Sequence, residues 1–192
     1  MSYRLTSDSE SFLKCPPSVC EIPINPHPGS FAFKRRHHTH EGIDFYVKDG
    51  TRVYALEDGK VVGIENFTGP KAGSDWWHDT MALLVEGQTG VIVYGEIRVN
   101  KSIKLNQEIK KGQYLGIVKQ VLKKDKGRPM SMLHLELHKH GTKKTYEWEG
   151  ERPSSLLDPT PHCIYWLHLG VKNNLKKTSK KRIRVNEKSP KC

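Results

Sequence analysis

No stretch of this sequence approaches the roughly 20 consecutive apolar residues that a membrane-spanning helix needs. Met1 to Leu13 begins Met-Ser-Tyr-Arg-Leu-Thr-Ser-Asp-Ser-Glu and holds no apolar run of the kind a secretory leader uses. The expectation is a soluble chain that works inside a cell or leaves it by a route the sequence does not display. Cysteine is scarce: Cys15, Cys20, Cys163 and Cys192 are the only four in 192 residues. Cys15 and Cys20 flank Pro16-Pro17 at a spacing that is not that of a zinc knuckle, and without a leader free thiols are expected. Cys192 lacks the C-a-a-X arrangement that prenylation requires. Acidic residues are few beside basic ones, for a net charge of +11. From Lys172 to Cys192, however, seven Lys, two Arg and one Glu give +8, which leaves +3 for the remainder. The basic character belongs to this tail and does not mark the rest as a nucleic-acid binder.

What is present is a series of short apolar segments broken by Gly, Asn and Asp turns, which indicates a mainly β domain. The length suffices for one such domain with a proper core, plus extensions. Residues 1–30 are polar and rich in proline and are expected to form an extended arm laid over the domain. Residues 31–162 are assigned to the β domain. Residues 163–192 are assigned to a short helical turn and a basic, disordered tail. Ile43, Phe45 and Val47 alternate with Gly42, Asp44 and Tyr46, as in a half-buried strand. Residues 52–55 give a short strand, and Asp58-Gly59 is expected to turn it back as a hairpin into 60–64. Residues 66–79 read as a loop that carries Trp76, Trp77 and His78. Residues 80–85 and 91–97 form a second hairpin, 114–118 a further strand, and Pro153-Ser154-Ser155 the start of a helical turn.

Period two also governs the stretch from Met132. Met132, His134, Glu136 and His138 fall on one face, and Leu133, Leu135 and Leu137 on the other, towards the core. Such a strand carries a site on its surface. His40 and Asp44 are of metal-ligand type, but four residues of straight strand span about 13 Å. That is too far for two bonds of about 2 Å to one ion. His40 is therefore expected on a bent approach permitted by Gly42, with Asp44 alone in the strand. Spacing leaves two readings open. One is a hydrolytic zinc site with a position kept for water; the other is isolated histidines that are solvated or satisfied in the core. His37, His38, His138 and His140 are expected to be solvated or to stand behind the ligands.

In order along the chain, these segments resemble the lysostaphin-like (LytM-type) zinc endopeptidases, which cut peptide cross-links in bacterial cell walls. The resemblance runs from Arg36 to Pro161. His40-Glu41-Gly42-Ile43-Asp44 matches the family's His-x-Gly-x-Asp. Gly50-Thr51-Arg52-Val53-Tyr54-Ala55 with Asp58-Gly59-Lys60-Val61-Val62 matches its Gly-Thr-x-Val-x-Ala…Gly-x-Val. Lys110-Lys111-Gly112-Gln113-Tyr114-Leu115-Gly116 matches its Lys-x-Gly-Gln-x-Ile-Gly. His134-Leu135-Glu136 matches the end of His-x-His-x-Glu, and Leu157-Asp158-Pro159 its closing Asp-Pro. The resemblance implies a single antiparallel β domain of the lysostaphin (duplicated-hybrid-motif) type. It also implies one Zn2+ held by His40, Asp44 and His134, water as nucleophile, and a peptide or peptidoglycan substrate. Met132, Trp76 and Trp77 are then assigned to the substrate groove. Packing its loops down is the other role open to the tryptophans.

Two positions depart from the pattern. Met132 stands where the family has a catalytic His, and Glu96, in Val93-Tyr94-Gly95-Glu96-Ile97, stands where it has another. Either Glu96 serves as general base, as carboxylates do in unrelated zinc peptidases, or the protein is a catalytically inactive zinc-binding module that recognises a wall peptide or a protein partner. The tail, with Lys176-Lys177-Thr178-Ser179-Lys180-Lys181-Arg182, is a third candidate surface, for an anionic polymer, a nucleic acid or an acidic membrane, or as a nuclear address.

Overall fold

The computed structural model describes residues 3–4, 21–125, 127 and 129–165. They form a mainly β, antiparallel structure. Two short strands, β1 (Tyr3–Arg4) and β2 (Glu21–Ile22), pair with each other. Nine more make one sheet: β3 (Ile43–Tyr46), β4 (Arg52–Tyr54), β5 (Gly59–Thr68), β6 (Thr80–Gly87), β7 (Val91–Val99), β8 (Glu108–Ile109), β9 (Tyr114–Val118), β10 (Met132–His138) and β11 (Leu156–Leu157). The spine of the sheet runs β11-β10-β7-β6-β5-β8, with β3 against β10 and β9 joining β7 to β4. No helix among the described residues is long and apolar enough to cross a membrane.

Alternation sorts each strand between two faces. Ile43 and Phe45 of β3, Leu83 and Val85 of β6, Ile92 and Tyr94 of β7, and Leu133, Leu135 and Leu137 of β10 enter the main core. Ala82, Leu84, Val91 and Val93 form a smaller cluster on the opposite face, with Phe67 packed against it. Fully burying one such aliphatic side chain stabilises by about 1.5–3 kcal/mol.

β10 is the centre of the site. Its His134, Glu136 and His138 face away from the main core, yet all three are buried. The surface position expected for them is corrected: the Leu face is covered by the core, and the polar face is covered by other chain segments. Phe67 stacks its ring 5.4 Å from that of His134, and Ser155 closes on His138. Ile22 lies in the main core, which anchors β2 there.

Two local expectations are also corrected. Residues 52–64 do not form a hairpin, because β4 pairs with β9 while β5 pairs with β6 and β8. Asp58 instead accepts a hydrogen bond from the Lys111 amide at 2.7 Å, which ties its turn to the next one. Pro153–Ser155 is a turn into β11, and helix occurs at residues 160–165. The hairpin of β6 and β7 forms as expected. Cys163 is a buried free thiol. Cys15, Cys20, Cys192, the basic tail and most of the arm lie outside the described residues.

Candidate metal centre

Asp44 in β3 stands directly opposite His134 in β10. His40 precedes β3, and the chain bends at Gly42. A Cβ at Gly42 would run into the Leu135 carbonyl and stand 2.9 Å from His134 Nε2, so only glycine allows this approach. The result is a triangle of ligand atoms. His40 Nε2 lies 3.0 Å from Asp44 Oδ1 and 3.1 Å from His134 Nδ1, and the latter two atoms are 2.8 Å apart. Among the described residues, these are the His, Cys and acidic side chains grouped closely enough to hold one metal ion.

The outer side of each group fixes what its inner side offers. His40 Nδ1 is 2.8 Å from the Ser30 carbonyl oxygen, which can only accept. Nδ1 therefore carries the hydrogen and Nε2 a lone pair. His134 Nε2 is 2.9 Å from Glu136 Oε1. Burial works against the Glu136 charge, but hydrogen bonds from His134 and His138 bring its pKa down to about 2, so it is an acceptor. His134 thus donates from Nε2 and turns the lone pair of Nδ1 inward. Asp44 Oδ2 accepts a hydrogen bond from Arg35 Nη2 at 2.5 Å, which leaves Oδ1 for the triangle. Three lone pairs meet at one buried point. Acceptors so close repel one another unless a cation lies between them. Ligand atoms bonded to zinc at about 2.0–2.1 Å in a tetrahedron stand about 3.3 Å apart, near the spacing seen here. The donor set, two imidazoles and a carboxylate, fits zinc.

Protons meet the same demand when no metal is bound. Burial opposes a charge on His134, but its hydrogen bonds to Asp44 and Glu136 hold its pKa well above the ordinary histidine value. His40 is pushed down, by burial first, and stays neutral. Burial also opposes the Asp44 charge, but His40 and His134 keep that carboxyl well below its usual range.

Glu96 sits where β7 changes partner. Residues 91–95 of β7 pair with β10, and 97–99 pair with β9. Between them the register to β6 slips, and Glu96 takes a φ of 60°, unusual for a residue with a side chain. Gly95, opposite His134, leaves room for Phe67, whose Cε1 would be 2.7 Å from a Cβ there. The Glu96 side chain is buried, and its Oε2 has no hydrogen-bond partner. Burial, then the negative charge of Asp44, pushes its pKa up to about 8. A strained backbone carrying an unsatisfied buried acid beside a ligand triangle is a functional signature.

The other residues singled out by sequence are spread around this point. Met132 is half-buried at the start of β10, on the face of His134. Trp76, 65% exposed, and Trp77 lie on the β5–β6 connection. That connection is tied to the segment leading into Met132, since Trp77 bridges to Leu122 and Gln120 to Ser131. His140 is exposed near Glu86, whereas His138 is fully buried behind Glu136. Ser30, Arg35, Phe67 and Ser155 carry no sequence signal that sets them beside the centre; long-range pairing brings them there.

Residues 38–145, more than half of the chain, match the sequence profile of peptidase family M23. The chain belongs to peptidase family M23. Among solved structures, this M23 chain is similar to cbpa from L. salivarius REN, at 21% identity over 79% of this chain and 94% of that one, with a TM-score of 0.50. It is also similar to lysostaphin from Staphylococcus simulans, described as an antimicrobial peptidase. There the identity is 16% over 77% of this chain and 50% of that one, with a TM-score of 0.50. At these identities the likeness speaks for the fold. A search of curated proteins finds no match.

Proposed function

We propose that this M23 protein is a zinc-dependent endopeptidase acting on peptidoglycan cross-links, with His40, Asp44 and His134 as zinc ligands and Glu96 as general base. The observation that carries the reading is the convergence of three lone pairs on one buried point, next to an acid whose Oε2 has no partner. Zinc in such a site supplies a Lewis acid for the scissile carbonyl and makes water more acidic. Glu96 takes the proton of the attacking water and delivers it to the leaving amine. The same acid that is held near 8 by burial and Asp44 becomes a carboxylate more readily once positive charge enters the triangle, which suits a base working near neutrality. Met132 forms an apolar wall, and Trp76 and Trp77 offer stacking surfaces to the substrate. The tail, from Lys172, adds affinity for anionic wall polymer; deletion of 172–192 should abolish that affinity and leave hydrolysis of small peptides intact.

Met132, where the resemblance expects a catalytic histidine, favours a second reading: a zinc module that binds a wall peptide without cutting it. Cross-linked muropeptides incubated with zinc-loaded protein, against a His40→Ala blank, separate the two by mass spectrometry. New fragments absent from the blank support the hydrolase. Intact muropeptides with one zinc bound per chain support the binding module.

A further inference from the structure

Behind His134 runs a chain of hydrogen bonds, buried up to its last link, that ends 21 residues away. His134 Nε2 meets Glu136 Oε1 at 2.9 Å, Glu136 Oε2 meets His138 Nε2 at 2.6 Å, and His138 Nδ1 meets Ser155 Oγ at 3.1 Å. Period two along β10 puts the first three side chains on one face, so the strand itself sets their order. Glu136 and His138 are 2% and 0% exposed. Ser155 lies in the turn just before β11, whose Leu156 pairs with His138, so the pairing of β10 and β11 brings the hydroxyl to the ring.

The Glu136 carboxylate sets the polarity of the first two links. Glu136 is a carboxylate and accepts on both oxygens, from His134 and from His138. In the neutral ring, Nε2 of His138 donates to Glu136 and Nδ1 accepts the Ser155 hydroxyl. Each carboxylate oxygen of Glu136 then has a donor, and neither is free to turn away. We propose that His138 and Ser155 are positioning residues: they pin the Glu136 carboxylate so that it holds His134 in the one tautomer and ring orientation whose Nδ1 points at the metal position. The proposal rests on the reading of His134 as a zinc ligand. Partners behind a metal-binding histidine typically change affinity by about 10–100-fold when removed. The link acts through Glu136, so its effects should vanish when Glu136 can no longer transmit them.

The test uses the full chain and reads zinc affinity by competition with a chromophoric chelator, beside thermal unfolding of the metal-free protein. His138→Phe keeps a flat aromatic ring and removes both hydrogen bonds. It should weaken zinc about tenfold or more. His138→Gln restores a donor towards Glu136 and should recover most of that loss. Ser155→Ala, a small change at a half-buried turn, should weaken zinc by a few fold. In a Glu136→Gln background, His138→Phe should add no further loss, as expected of residues acting in series. If wild type itself fails to bind zinc, the metal reading fails. If wild type binds and folded His138→Phe and Ser155→Ala bind equally well, the positioning role is overturned. Additive losses in the double variant overturn it too, as does a fall in thermal stability without a fall in affinity.

Discussion

Glu96→Gln should make the metal-free protein more stable while removing the general base proposed for hydrolysis. Glu96 is buried, its Oε2 has no partner, and its pKa stands at about 8 against an ordinary value of 4.5. In the unfolded chain the carboxyl ionises above that lower value; in the fold it stays protonated until about pH 8. A carboxyl raised in this way contributes stability that is fully present below the unfolded pKa and is lost as pH rises through the folded one. At pH 7 the mismatch covers two and a half pH units, which at about 1.4 kcal/mol per unit costs roughly 3 kcal/mol. Gln keeps the volume and cannot ionise, but it brings an extra amide donor that costs about 1 kcal/mol when unpaired. The net expectation is a gain of about 2 kcal/mol at pH 7, shrinking and then reversing towards pH 4.5 and growing up to pH 8. Urea unfolding in chelator at several pH values measures it. The same variant should lose about 10²–10⁴-fold in hydrolysis while still binding zinc. A Glu96→Gln protein that is less stable than wild type at pH 7, or whose stability relative to wild type does not change with pH, would refute the burial argument.

Zinc binding should be steeply pH-dependent, because the ion displaces the proton that Asp44 and Glu136 hold on His134. Affinity should rise about tenfold per pH unit for each proton released, as read by chelator competition between pH 6 and 8, and a flat profile would contradict this. Gly42→Ala forces a methyl against His134 Nε2 and the Leu135 carbonyl. It should cost about 1–3 kcal/mol in thermal unfolding and weaken zinc together with it. Leu135→Ala removes a fully buried side chain on the opposite face of β10. It should cost about 2–5 kcal/mol in urea unfolding.

The fold was legible wherever alternation was strong. The β6–β7 hairpin and the two faces of β10 follow from their Val and Leu spacing, and the bend at Gly42 follows from the reach of a zinc bond. Asp58-Gly59 misled because a turn dipeptide reports a change of direction, whereas pairing is decided by distant partners; here β9 and β6 take the two strands. Burial of the polar face of β10 was invisible for a related reason. A period of two separates faces, but it does not say whether a face is covered. The ligand types were visible as residues, and the groups that orient them were not. Ser30 acts through its carbonyl oxygen, which every residue has, and Arg35 looked like one more surface cation. Glu96 was visible as a substitution within a motif; its positive φ and buried oxygen depend on β7 passing from β10 to β9.

Three inward lone pairs, fixed by Ser30, Glu136 and Arg35, are proposed to make a zinc site. Zinc X-ray absorption on the full chain after metal loading tests this most directly. The expected result is one zinc per chain, coordinated by two imidazole nitrogens and by oxygen at about 2.0–2.1 Å, with the signal lost in His134→Ala. No retained zinc, or zinc coordinated by sulfur, would contradict it.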